Sequence, residues 1–407
     1  MDRAEPAESD ERARFRAEVR AFLAANAEPR RDSDPWAVNF HTSEEEARRH
    51  FEAVRDWQRK LFEAGLAGLA YPREYGGRGG EAWHQRVFDE EAAAYAIPRG
   101  YITSTIAMLA PTLLAHGSEE QRRRYLPRLL SGEDAWCQLF SEPGAGSDLA
   151  SIACRAVRDG DDFVVDGQKV WNSGAQFSDR GMLLARTNPD APKHEGITFL
   201  LVDMRSPGVE VRPLVQATGA SGFNEVFLSG VRVPAADVVG EVDGGWAPAR
   251  TVLQHESAFI GGGGVPVNVR LVMLARMFGV QDDPVVRQGI ARHYSRERVL
   301  ALMAERVKAA ARRRERSPLD PSMLKLFAAE SRVLSGDLAA AIAGAHAVVA
   351  GEPFQRWLHS EVVGRFAISI GGGTNEVQRN NVAERVLGMP REPDPYHGRP
   401  WRETPRS

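Results

Sequence analysis

FVVDGQKVW (163–171), GMLLART (181–187), GITFLLVDM (196–204), GVEVRPL (208–214) and NEVFLSGVRVP (224–234) stand close together in the middle of this chain. Each is short, rich in β-branched or aromatic residues, and set off by glycine, proline or polar residues, which is the pattern of strands. Asp166-Gly167 and Ser229-Gly230 supply turn chemistry among them. The reading that follows is a small β-barrel or sandwich over residues 136–243 with little helix.

On either side the hydrophobic period lengthens. ARFRAEVRAFLAAN (13–26), RRHFEAVRDWQRKLFEAGL (48–66) and GSEEQRRRYLPRLLSGE (117–133) carry apolar residues three or four apart among charges, so residues 1–135 read as a helical N-terminal domain. The glycine-rich YPREYGGRGG (71–80) reads as an ordered loop between two of its helices. Beyond the strands, the long periodic runs at 283–313 and 322–350 predict an antiparallel helix bundle over 244–390, with Pro318 and Pro321 marking a connection. The proline-rich end, 391–407, reads as a surface tail. The fold class is therefore α+β, with a helical domain, a β domain and a helix bundle in that order.

With 407 residues, 43% of them hydrophobic, the chain can bury two or three packed units. A net charge of -3 gives no reason to expect a nucleic-acid partner. The charged start MDRAEPAESDERARF lacks the apolar stretch of a signal peptide, and no segment is apolar for long enough to span a bilayer, so the expected location is the cytoplasm. Cys137 and Cys154 have no metal-ligand spacing and build no disulfide framework. They read as small buried hydrophobes, and no metal site is expected.

Chemistry concentrates in LFSEPGAGSDLAS (139–151). Gly144 and Gly146 let the backbone approach a flat ligand, and Ser141 and Ser147 offer hydroxyls to its polar edges. Alone, the segment reads equally well as a strand-to-loop turn. In company it does not, because SEPGAGSD followed by DGQKVWNSGAQFSD (166–179) resembles the paired flavin-binding segments of acyl-CoA dehydrogenases. PREYGGRGG (72–80), FNEVFLSGVRVP (223–234) and GGGTNEVQRNNVAERVLG (371–388) resemble further segments of that family in the same order.

The resemblance implies FAD as cofactor, an acyl-CoA substrate, an electron-transferring flavoprotein as electron acceptor and a homodimer or homotetramer. By position it implies that Gln138, Phe140, Ser141, Gly146 and Ser147 line the isoalloxazine, that Trp171 and Ser173 meet its other side, and that Arg379 contributes to FAD binding. The adenine end departs from the family pattern: Ala275 stands where an arginine is usual before Phe278-Gly279, with Arg276 adjacent. The family's chemistry is removal of a thioester α-proton by a carboxylate while the β-hydride passes to flavin N5. This needs one dry base and no metal.

In many members that base is the glutamate just before the Gly-Thr of the C-terminal signature, which here is Gly372. Its backbone N–H remains able to hold a thioester oxygen. Other members carry the glutamate on the first long helix after the strands, and TVLQHESAFIGGGG (251–264) then points to Glu256, with His255 as a rival acceptor. The glycine run at 261–264 either widens the pocket or breaks a helix. Two alternatives stay open, a flavin oxidase or monooxygenase on the same fold and a base-less partner subunit of a heteromeric enzyme. The departures resemble a bacterial subgroup acting on bulky or unusual acyl groups.

Overall fold

The computed structural model describes residues 9–30, 36, 38, 40–259, 267–313, 315, 317, 319–349, 351 and 353–405. Helix α1 (Asp10–Asn26) starts where Ser9 accepts a hydrogen bond from the Arg12 N–H. It packs Phe15, Val19 and Leu23 against Trp57 and Leu61 of α2 (Glu44–Glu63) and Trp83 and Val87 of α3 (Ala82–Ala92). A two-residue antiparallel pairing, β1 (Glu28–Pro29) with β2 (Tyr95–Ala96), closes this layer. The loop at 71–80 is ordered as expected: Gly76 takes φ 88°, and a side chain at Gly77 would stand 2.3 Å from the Tyr71 carbonyl oxygen.

Helix α4 (Tyr101–His116) is apolar on most of its surface because it lies between layers, burying Ile102, Met108, Leu109 and Leu113. Ser118 and Gln121 cap α5 (Glu119–Ser131) reciprocally. The middle unit is a seven-stranded sheet ordered β3 (Trp136–Leu139), β6 (Arg180–Arg186), β4 (Arg155–Asp159), β5 (Asp162–Lys169), β9 (Phe223–Pro234) and β8 (Val209–Leu214), with β7 (Ile197–Asp203) on the other side of β6. β3 and β4 run parallel to β6; the remaining pairs are antiparallel.

Two expectations change here. Asp166-Gly167 and Ser229-Gly230 are not turns. Both lie inside paired strands, where the β5–β9 register slips between Val165 and Gly167 and the Gly230 N–H, at φ 64°, donates to the Asp166 carboxylate at 2.8 Å. A bulge asks for the same glycine freedom as a tight turn. The strands β3 and β4 were also absent from the five segments, the first because it merges with the loop after it and the second because RAVRD is too polar to read as a strand.

One face of the sheet closes on itself around Leu183, Leu200, Val226 and Val233. The other face packs Met182, Leu184, Phe199 and Leu201 against α4, α5 and α6 (Trp246–Phe259), so β6 and β7 are buried on both sides. The C-terminal unit adds α7 (Val267–Met277), α8 (Pro284–Arg312), α9 (Pro321–Ala343), α10 (Pro353–Val363), α11 (Ala367–Ile370) and α12 (Asn375–Asn381), with α9 central to the bundle. Thr374 caps α12 by accepting from the Val377 N–H, and Glu376 sits in the first turn beside the helix dipole. The glycine run at 261–264 and Pro318 lie outside the described residues. Among the described residues no helix is long and apolar enough to cross a membrane.

The tail is mostly exposed, yet it is anchored. Trp401 is buried beneath the Arg186 guanidinium, 4.9 Å from the ring, while its backbone N–H donates to the Ala191 carbonyl and its indole to that of Ser151. The C-terminal end thus returns to the sheet.

Candidate active site

Strand β3 is buried except at Gln138, which is half-buried and is its only side chain bearing an amide or charge. The Gln138 amide nitrogen lies 3.4 Å from Oε2 of Glu256 on α6. Glu256 is itself half-buried, two positions after Gln254 and one after His255, both of which are exposed. Burial pushes its carboxyl above the usual carboxylate range, and the Gln138 contact pulls it partly back. Of the two acceptors singled out in the sequence, Glu256 is the one turned toward the sheet.

From Gln138 the contacts continue into the second flavin-like segment. Its backbone oxygen accepts from the Asn172 amide at 2.7 Å. Asn172 and Asn224 are both buried and exchange bonds, Asn172 N–H to the Asn224 carbonyl at 3.0 Å and the Asn224 amide to the Asn172 carbonyl at 2.8 Å. This clamp holds Trp171, a non-glycine residue at φ 64° that is 59% exposed, with its ring edge-on to Phe223 at 5.9 Å. Left-handed backbone and an open indole both carry a cost, and such departures gather at binding sites. The exposed ring face suits a stacked planar ligand. Ser173, half-buried, follows directly.

The first flavin-like segment is fixed from behind. Lys169, fully buried at the end of β5, donates to the Phe140 carbonyl at 2.9 Å and to the Glu142 carboxylate at 2.7 Å. Glu142 also accepts from the backbone N–H groups of Ala153 and Cys154 at 2.7 and 2.9 Å. The Val170 N–H donates to the Ser141 carbonyl at 2.9 Å, which draws the two segments together. Beyond this anchor Gly146 and Ser147 form the exposed tip of the loop, while Ser141 is half-buried.

Phe140 is placed differently from the reading of the sequence. Its side chain is 3% exposed and packs on Phe199 in the core, so only its backbone is available to a ligand. Gly372 and Arg379 belong to a second cluster built on α9. Gly372 has φ 66°, a conformation open to glycine, and its carbonyl accepts from Gln378 at 2.9 Å; the neighbouring Gly373 carbonyl accepts from the buried Lys325. The Arg379 guanidinium is half-exposed and bonded to Glu376 and Glu330 at 3.1 and 3.4 Å. Ala275 is buried in the helical core, so the adenine-end departure is a packing residue.

Four residues of this site had no role in the sequence reading: Glu142, Lys169, Asn172 and Asn224. Lys169 had a signal, since it shares strand parity with the inward-facing Phe163 and Val165, and a cation at an inward position must find a partner. Both cysteines are buried and free, as the sequence suggested; burial pushes the Cys154 thiol up to about 11.

Comparison with known proteins matches residues 9–133, 137–231 and 244–387 to the N-terminal, middle and C-terminal domain models of acyl-CoA dehydrogenases. The acyl-CoA dehydrogenase IpdE1 of Mycobacterium tuberculosis is 38% identical over 383 residues, which is 93% of this chain and 98% of that protein. FadE29 of the same organism, also named an acyl-CoA dehydrogenase, is 34% identical over 86% of this chain and 92% of its own. Among solved structures, the Tcur3481-Tcur3483 steroid ACAD is 33% identical with a TM-score of 0.74 over 96% of this chain and 100% of that one. A chain of the ChsE4-ChsE5 complex from Mycobacterium tuberculosis is 29% identical with a TM-score of 0.70 over 96% and 100%.

Proposed function

Because the chain belongs to the acyl-CoA dehydrogenase family, whose members are flavoprotein oxidoreductases, we propose that it converts a bulky acyl-CoA to its trans-2-enoyl thioester with Glu256 as base. The observation that carries this reading is the Glu256 carboxylate, half-buried and one contact from the flavin-like segments, while Gly372 has no side chain to take a proton. A thioester α-proton is weakly acidic, so its removal calls for a carboxylate raised by burial, as Glu256 is. The Gly372 N–H is the candidate donor to the thioester oxygen.

The residues present fit the ring end of FAD. The exposed Trp171 indole offers a stacking face, Ser141, Ser147 and Ser173 offer hydroxyls, and the Lys169–Glu142 pair keeps the two segments at fixed spacing. FAD, when bound, supplies the hydride acceptor. Arg379 is the candidate at its far end, where Ala275 offers no charge. An electron-transferring flavoprotein is the proposed reoxidant.

We infer a polycyclic or otherwise bulky acyl group from the similarity to a structure titled a steroid ACAD. Apolar side chains that the C-terminal unit leaves exposed, among them Val285 (81%), Leu387 (67%) and Ile370 (66%), support assembly with a second chain. Similarity to the structure titled the ChsE4-ChsE5 complex, and to one whose title joins two names, favours a non-identical partner over a second copy. Anaerobic bleaching of the flavin by a panel of acyl-CoA thioesters, ring-bearing ones included, tests the reaction. Bleaching without oxygen is expected, whereas turnover that requires oxygen would favour an oxidase.

A further inference from the structure

We propose that Gln138 is the positioning residue of the base, its side-chain amide holding one carboxylate oxygen of Glu256 from the strand that carries the first flavin-like segment. This rests on the reading of Glu256 as base. The placement comes from three observations. Gln138 departs from an otherwise apolar, buried strand, and its amide nitrogen lies 3.4 Å from Oε2 of Glu256. Its own backbone is fixed by the Asn172–Asn224 clamp, so the amide is presented from a rigid frame. The donor is neutral: it orients a carboxylate without the strong suppression of basicity that a guanidinium or ammonium brings. With Oε2 held, Oε1 is left to accept the substrate proton.

Among the described residues, Gln138 is the side chain that reaches that carboxylate. On its own helix α6, Arg250 and His255 are exposed. The elements packed against α6 carry Tyr101 and His116 on α4, Asp203 at the end of β7, and Lys325, Glu330, Arg332 and Asp337 on α9. Tyr101 reaches instead to the Gly222 carbonyl and His116 to the Thr251 hydroxyl, a turn before Glu256. Lys325 is taken by Gly373, Glu330 by Arg296 and Arg379, Arg332 by Glu361, Asp337 by Arg365, and Asp203 lies near Arg180. Burial raises the carboxyl and the Gln138 contact opposes it.

The test compares wild type, Gln138→Leu and Glu256→Gln by infrared titration of the Glu256 carboxyl band, assigned by its loss in Glu256→Gln, alongside the pH profile of flavin bleaching. Removing the donor leaves burial unopposed, so in Gln138→Leu the midpoint and the acid limb of kcat move together to higher pH by about half a unit or more, with KM little changed. A role in strand packing alone would lower the rate equally at every pH. Gln138→Glu serves if the leucine variant does not retain flavin, and its added carboxylate drives the same midpoint upward. A midpoint unmoved beside an inactive Glu256→Gln overturns the role of Gln138 alone. A Glu256→Gln variant that still bleaches removes the base assignment, and this inference falls with it.

Discussion

As the proposed base, Glu256 sets stability against use. Its carboxyl is raised by burial, so the folded protein binds its proton more tightly than the unfolded chain does, and ionising it costs stability as pH rises past the usual carboxylate range. Glu256→Gln is therefore expected to melt at a higher temperature than wild type at pH 7, with the gain fading below about pH 4 where both states are protonated; thermal melts at the two pH values check this. Lys169 behaves in the opposite way. Replacing it by Met leaves Glu142 buried with two backbone partners and no cation, a change expected to cost about 3–5 kcal/mol, measured by denaturant unfolding. The resemblance of TVLQHESAFIGGGG singled out Glu256 and His255, and burial distinguishes them. The Lys169–Glu142 pair was not legible in the sequence, since its partners lie 27 residues apart and only the folded sheet brings them together.

At the level of elements, periodicity and caps carried most of the information. Ser9, Ser118 and Thr374 begin their helices as their side chains permit, and the five apolar segments become strands. The two Xaa-Gly pairs misled because a left-handed glycine serves a bulge as readily as a turn, and register decides between them. Helix α8 carries a further consequence that no local pattern announces. His293 is 4% exposed, and burial, with Arg296 and Arg332 adding to it, pushes its imidazole down to about 4. The folded state then binds its proton less readily than the unfolded chain. Stability contributed by the neutral ring is full above the ordinary histidine range and is lost as pH falls from about 6.5 toward 4, on the order of 3 kcal/mol in all. His293→Asn, compared with wild type by urea unfolding at pH 7 and pH 4.5, is expected to show a shallower loss on acidification.

The whole molecule joins its layers through α4 and α6, which share a core with the sheet, and through a tail that returns to it. The three-unit order was readable from the change of hydrophobic period alone. The docking of the tail was not, because a proline-rich polar segment reads as surface, and only Trp401 betrays an anchor. Trp401→Ala is expected to cost about 3 kcal/mol and to free the loops at Ser151 and Ala191, seen as faster amide hydrogen exchange there. In the proposed reaction the proton chemistry falls to Glu256 on α6. The most direct measurement of that chemistry uses an acyl-CoA that lacks β-hydrogens, built on whichever acyl group bleaches the wild-type flavin, incubated in deuterium oxide with wild type and Glu256→Gln. Wild type is expected to exchange the α-hydrogens and the variant to do so about 10²- to 10⁴-fold more slowly; equal exchange by both proteins would contradict Glu256 as the base.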